Sequence, residues 1–364
     1  MEPLKFDCIV LGAGIAGLSA ADALQEKGIK IAVIDRGQLA DGASGTPGAL
    51  VNIATGRRGT KVWKAEACYQ ALKNTFHKVS AYHIEPFYRN NGILRPCLTE
   101  KMARKMKEQY QKTDWPEGWC QWLDRKSILQ RHPGINCTGG GLWIPVGMTV
   151  DIRGYLKALA RYIQVNDGIV RTECDYELRR NGKGWVVAGD RFEYQTDRIL
   201  FATGYGTLNS PFWNRLPLSP VKGQVACYRT VSGVLDFTHS ISSLGYIARI
   251  DERHFLQGST YEHGFDDLQP DQEGLEYLQQ RLDRTLPGLK DRSELQSQWA
   301  GVRVSTPNKK PVLGAHPEEP GLYIFTGLGS KGLLYGKYLA EHFADHLLDG
   351  EKLIETVSIQ RMLQ

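Results

Sequence analysis

The residues whose types and spacing suit chemistry stand near the start of the chain. Gly12-Ala13-Gly14-Ile15-Ala16-Gly17 reads G-x-G-x-x-G, and Asp35 follows roughly twenty residues on. Gly12 permits a tight turn, Gly14 lets a pyrophosphate approach the backbone, and Gly17 lets a helix pack closely on a strand. A helix opening in this turn points unpaired N–H groups and its positive dipole end at phosphates. Asp35 can accept hydrogen bonds from both hydroxyls of a ribose. The pattern is that of a dinucleotide held by its phosphates and its sugar.

Those residues meet only if strand, turn, helix and strand follow in order. Residues 8–11 form a short apolar run rich in branched side chains, as a buried parallel strand requires. Residues 18–26 read as a helix, and residues 31–34 are a second apolar run ending at Asp35. The next segment, DGASGTPGALVNIATGRR over 41–58, is glycine-rich and nearly free of bulky residues until Leu50. It is either a surface loop or a loop whose backbone passes a flat ligand. In the second case Ser44 is available to a phosphate, and Gly48 and Ala49 leave room for a ring.

Helical patterns are expected over 61–82, 99–113, 126–133, 151–165 with Asp151 as cap, and 271–286. The helix over 99–113 carries Lys101, Arg104, Lys105, Lys107 and Lys112, either as a solvated face or as a surface for RNA. Strands are expected over 88–95, 139–150, 168–180 and 198–202, the last running into Thr203-Gly204. Asn181 to Gly184 is a strong turn signal, read here as supporting a hairpin of 185–188 with 191–194. From Pro217 alternating strands (224–230, 244–250, 254–259) suggest an antiparallel sheet that covers a substrate. A strand, a glycine turn and a long helix recur over 322–348.

Composition bounds the function without naming it. The chain has 364 residues, 41% of them hydrophobic and 23% charged, enough to bury a sizeable core. A net charge of +5 suits an anionic substrate and permits a nucleic acid. No apolar stretch approaches a membrane span, and the N-terminus enters its first strand too early for a signal peptide. The seven cysteines occur singly, without C-x-x-C, so reduced thiols in a cytoplasmic protein are expected. His342 and His346 are spaced i, i+4, as zinc ligands can be, but no third ligand accompanies them and no metal is expected. Trp115, Trp119 and Trp122 could form a lid or an RNA platform, and packing beneath an insertion is the expectation.

Six segments in order resemble the D-amino-acid-oxidase-like flavoproteins, above all glycine and sarcosine oxidases and the FAD domain of the bifunctional enzyme that modifies the tRNA wobble uridine. They are Gly12 to Gly17, Asp35-Arg36, Ala43 to Leu50, Ala202-Thr203-Gly204, Trp299 to Arg303 and Gly327 to Leu333, and they span essentially the whole chain. The resemblance implies a mixed α/β protein. A Rossmann-like FAD domain of glutathione-reductase type (1–80, 139–215 and 298–364) would carry an inserted antiparallel substrate domain (81–138 and 216–297). It implies FAD, bound without covalent attachment, rather than NAD.

By the same resemblance Ala43 and Ser44 meet the pyrophosphate and Gly48, Ala49 and Leu50 pass the isoalloxazine. Cys174 contacts the adenine side through its backbone, where relatives usually carry valine. Gly301 belongs to this set, and Gly327, Gly329, Ser330, Lys331, Gly332 and Leu333 face the pyrimidine end. Reduced flavin gathers negative charge there, which backbone dipoles stabilise. Lys331 either adds a full charge, reaches the substrate or points to solvent.

Arg303 is the expected substrate anchor, since a guanidinium holds a carboxylate through two parallel hydrogen bonds. Val304 follows it where relatives often have proline. Tyr246 matches a tyrosine on the other side of the carboxylate. The implied reaction is hydride transfer to flavin N5 from the carbon next to the amine of an amino acid or N-substituted glycine. An imine results, which water hydrolyses. Two alternatives stand beside it: removal of the carboxymethyl group from carboxymethylaminomethyl-uridine in tRNA, and a non-catalytic flavin-binding protein.

Overall fold

The computed structural model describes residues 4–231 and 233–362. A six-stranded sheet lies at the centre, ordered Ile169–Arg171, Ile31–Ile34, Cys8–Leu11, Ile199–Phe201, Leu322–Thr326 and Val312–Ala315. The first five strands are parallel and the last is antiparallel. Side chains alternate between the two faces, as a strand's period of two demands. Cys8, Val10, Ile31, Val33 and Leu200 pack under helices, whereas Ile9, Leu11, Ala32, Ile34 and Phe201 pack against a second sheet. Both faces being covered explains why these strands read as unbroken apolar runs.

The helical layer holds Ile15–Glu26, Ala65–Val79, Ile152–Val165 and Gly332–Asp349. Three of these helices are tied by a buried ionic knot. Asp22, wholly buried, pairs with Lys78 and Lys337 at 2.6 Å each, and Glu26 pairs with the same two lysines at 2.5 Å. The opposite face is covered by a four-stranded sheet, Leu4–Phe6, Phe192–Thr196, Gly184–Gly189 and Glu177–Asn181.

An eight-stranded sheet forms the second body of the fold. Its order is Ser293–Ser305, Ser219–Thr230, His254–Gly258, Tyr246–Arg249, Ser240–Ser242, Ile93–Pro96, Gly141–Ile144 and Gln121–Leu123. Helix Gln272–Thr285 covers one face through Leu275, Leu278 and Leu282. On the other face Val225, Ala248 and Leu256 meet Leu50, Tyr246 and Trp299. A small sheet of Ala49–Val51, Met148–Val150 and Tyr88–Arg89 joins the two bodies.

Several boundaries differ from expectation. Gly141–Ile144 and Ser293–Ser305 both pair within the eight-stranded sheet, so the expected borders at 139 and 298 run through it. The fingerprint helix starts at Ile15 rather than 18, directly at the glycine turn. The helix expected from 61 starts at Ala65, because Thr60–Lys61 is drawn into a short strand pair with Ala54–Thr55. The Asn181 to Gly184 turn joins Glu177–Asn181 to Gly184–Gly189; the 185–188 strand also pairs onward with Phe192–Thr196, giving three antiparallel strands in sequence.

Candidate active site

All five parallel strands end on one edge of the central sheet. They deliver Gly12, Asp35, Cys174, Thr203 and Gly327 to the same crevice, the place where open α/β sheets bind ligands. Gly12 has φ +113, and a Cβ there would collide with the Ala202 carbonyl. A Cβ on Gly17 would collide with the Gly12 carbonyl. Turn, helix and neighbouring strand therefore touch backbone to backbone, leaving a cradle that side chains would fill. The helix has Gly14 as N-cap with no side-chain cap. The Ile15 N–H donates to the Ser44 hydroxyl at 3.1 Å, which brings Ser44 beside the helix N-terminus.

Asp35 supports the turn from the next strand. Its carboxylate accepts from the Ala13 N–H at 2.6 Å and from the Gly37 N–H at 2.8 Å. A carboxylate has about four acceptor positions, so acceptor capacity remains for ribose hydroxyls. Burial pushes this carboxyl above its ordinary range, against the pull of the two N–H groups. Arg36 lies over the Tyr176 ring at 4.4 Å and donates to the Tyr176 carbonyl at 3.0 Å. The Cys174 N–H is donated to the Asp35 carbonyl at 3.1 Å, so that part of its backbone is engaged within the protein. The donor set, the uncapped helix end and the side-chain-free cradle fit an ADP moiety.

A second helix N-terminus stands beside the first. Gly332–Asp349 begins after the 327–331 turn, and a Cβ on Gly336 would come within 2.8 Å of Ile15 Cγ2. Gly329 donates its N–H to the Val304 carbonyl at 2.9 Å, which fastens this turn to the strand bearing Arg303. Ala43 packs against Gly301, whose added Cβ would lie 3.4 Å from Ala43 Cα. The Gly48 carbonyl accepts from the Tyr246 hydroxyl at 3.0 Å, and Leu50 packs between the two bodies of the fold. Tyr246 thus links the eight-stranded sheet to the Gly48 segment. Burial pushes its pKa up to about 12, against Thr46 and Arg303, so it stays a neutral phenol.

Arg303 reaches across the neighbouring strand at Gly223, where any Cβ would collide with the guanidinium. Its Nη1 donates to the Ser259 hydroxyl at 3.0 Å and its Nη2 to the Thr260 carbonyl at 2.8 Å. The Tyr261 ring lies 4.4 Å from its Cζ. Among the described residues no carboxylate stands within ion-pair reach of this half-buried cation. Lys331 caps the second helix N-terminus without a side-chain bond, its Nζ 5.8 Å from the Tyr335 ring. Burial, with Lys309 nearby, holds its pKa below the ordinary lysine value. The seat formed by Gly223, Ser259, Thr260 and Tyr261 has no signature in the sequence. No metal-binding cluster occurs among the described residues, His342 instead accepting from the Ile354 N–H at 2.9 Å.

This crevice and its donors define a dinucleotide-binding fold, and the chain belongs to the DAO family of FAD dependent oxidoreductases, which matches residues 7–346. It is thereby an FAD-dependent oxidoreductase. Membership speaks against a flavin carrier without catalysis. The chain is 26% identical over 360 residues to the tRNA 5-methylaminomethyl-2-thiouridine biosynthesis bifunctional protein MnmC of Idiomarina loihiensis, covering 94% of this chain and 55% of that protein. The chain thus spans about half the length of that relative. It is 25% identical to the glycine oxidase of Pseudomonas aeruginosa, covering 95% of this chain and 96% of the relative. The crystal structure of glycine oxidase from Geobacillus kaustophilus superposes with a TM-score of 0.83 at 19% identity, covering 96% of both chains; at that identity the likeness is one of fold.

Proposed function

We propose that the chain oxidises the C–N bond of a glycine unit, as a free amino acid or an N-substituted glycine, anchored by its carboxylate on Arg303. The observation that carries this reading is the half-buried guanidinium without a described carboxylate partner. Two of its five N–H donors are engaged, and the others remain for a ligand. FAD, when bound, supplies the hydride acceptor. The chain's own contribution is placement. Arg303 fixes the carboxylate, and Leu50, Leu256 and Trp299 supply an apolar wall beside it. The N–H groups opening helix Gly332–Asp349 favour negative charge at the pyrimidine end of the crevice. The amine must enter unprotonated; the carbon beside it gives up hydride, and water hydrolyses the imine to an amine and an oxoacid. The seven thiols, none paired in a disulfide, support a reducing, cytoplasmic setting.

Arg303→Ala should keep FAD bound while kcat/KM for carboxylate substrates falls by on the order of 10²-fold or more. The assay is anaerobic bleaching by glycine, sarcosine, proline and D-amino acids. Unchanged substrate kinetics would refute the anchor.

A second reading places the glycine unit on tRNA, as the carboxymethylaminomethyl group of the wobble uridine. What favours it is the match to the tRNA-biosynthesis protein, which covers 94% of this chain against 95% for glycine oxidase. Arg303 would serve either substrate. Bleaching by hypomodified tRNA but not by the free amines would select this reading.

A further inference from the structure

The loop following Arg303 carries positive charge that no described carboxylate neutralises. Thr306 folds this loop through its hydroxyl, which donates to the Lys310 carbonyl at 2.6 Å, and a Cβ on Gly327 would come within 2.7 Å of Thr306 Cγ2. The loop therefore rests on the turn that carries Lys331. Lys310 lies with its Nζ 4.3 Å from the centre of the Trp63 ring, and Trp63 meets Tyr335 edge-on at 5.9 Å. Arg361 closes the loop from behind, its Nη2 donating to the Lys310 and Pro311 carbonyls at 2.9 Å each.

Lys309, Lys310, Lys331 and Arg361 thus share one small patch. No carboxylate stands within ion-pair reach of any of them among the described residues, and what sets the patch apart is that four cations converge there beside an aromatic ring. Crowding like charges is unfavourable, and here it leaves a mark. Burial, then Lys331, lowers the Lys310 pKa, and burial, then Lys309, lowers that of Lys331. An unneutralised cluster next to a substrate crevice attracts a polyanion.

We infer that Lys309 and Lys310, backed by Trp63 and continuous with Lys331, form a seat for the phosphodiester backbone of an RNA whose modified nucleoside enters the crevice. The inference rests on the second reading of function, and it assigns residues that the reaction itself does not need. Single-stranded backbone is held by this kind of pairing, in which cations contact phosphates beside an aromatic platform.

The test uses the FAD-loaded protein and fluorescence anisotropy of end-labelled hypomodified tRNA across a KCl series. The parent should bind the RNA with a steep salt dependence. Lys309→Glu with Lys310→Glu should weaken binding by about tenfold or more, and the charge-neutral Lys309→Gln with Lys310→Gln should lower the salt slope by roughly two contacts. Both pairs should leave FAD content and melting temperature as in the parent. Lys101→Glu with Lys105→Glu, on the basic helix Glu100–Lys112, should bind RNA as the parent does. Binding unaffected by the 309/310 changes, equal loss from the 101/105 changes, or no RNA binding by the parent would each overturn the inference. Because anisotropy requires no turnover, failure of the oxidation reading appears separately, as absent flavin bleaching in the parent.

Discussion

At the scale of single residues, the proposed carboxylate anchor depends on how Arg303 is held. Its guanidinium lies over a glycine and is gripped by a hydroxyl, a carbonyl and a ring, all on one segment, 259–261. Gly223 contributes by having no side chain. Gly223→Ala should displace the guanidinium and raise KM for carboxylate substrates by roughly tenfold, with kcat and FAD content much less affected. A variant with parental KM and only a lower melting temperature would show Gly223 to be a packing residue. Arg303 stands out in the sequence because Trp299 to Arg303 sits in a recognisable order with other segments. Its seat does not, because Ser259 and Thr260 meet it across 44 and 43 positions and no local pattern marks them. Cys174 shows the same limit: the position was foreseeable, while the engagement of its N–H by the Asp35 carbonyl depends on how two strand ends meet.

At the scale of elements, local chemistry was readable wherever a residue acts on its own helix. Thr99, Asp151 and Asp271 cap the helices that follow them, each accepting a backbone N–H from three residues on. The apolar runs at 8–11 and 31–34 became strands with the expected bounds. What could not be read is which helices share buried charge. Lys337, 3% exposed, was indistinguishable from a surface lysine, yet it meets Asp22 and Glu26 from the far end of the chain. Lys337→Met removes one cation from a buried knot and leaves Asp22 to Lys78 alone. It should cost about 3–5 kcal/mol in urea unfolding, and an unchanged midpoint would refute the stabilising role. The same sheet-level pairing explains the borders at 139 and 298: strand partners, unlike helix caps, are chosen by distant sequence.

At the scale of the whole molecule, a small net charge of +5 conceals segregation. Glu262, Asp266, Asp267, Asp271 and Glu273 line a groove of about 470 Å³ beside Lys222, while the 306–310 loop and Lys331 are basic. Burial also makes the fold sensitive to acid. His239, 7% exposed, sits among Trp143, Phe237 and His132, with Nε2 unpartnered, and burial together with His132 and Arg131 holds its pKa down near 4 rather than 6.5. The native state keeps this imidazole neutral while the unfolded chain protonates it. Its contribution is full above pH 6.5 and is lost as pH falls toward 4, by up to about 3 kcal/mol. His239→Phe should flatten the fall of urea midpoint over that interval; an identical pH profile would exclude His239 as its source. The ionic knot has a consequence of another kind. It joins the last two turns of helix Ile15–Glu26 to the second turn of helix Gly332–Asp349, so neither helix can swing away without stranding buried charge. The spacing of the two helix N-termini is thus set by charge pairing some turns away, so the helical layer, and not whatever occupies the crevice, holds them apart.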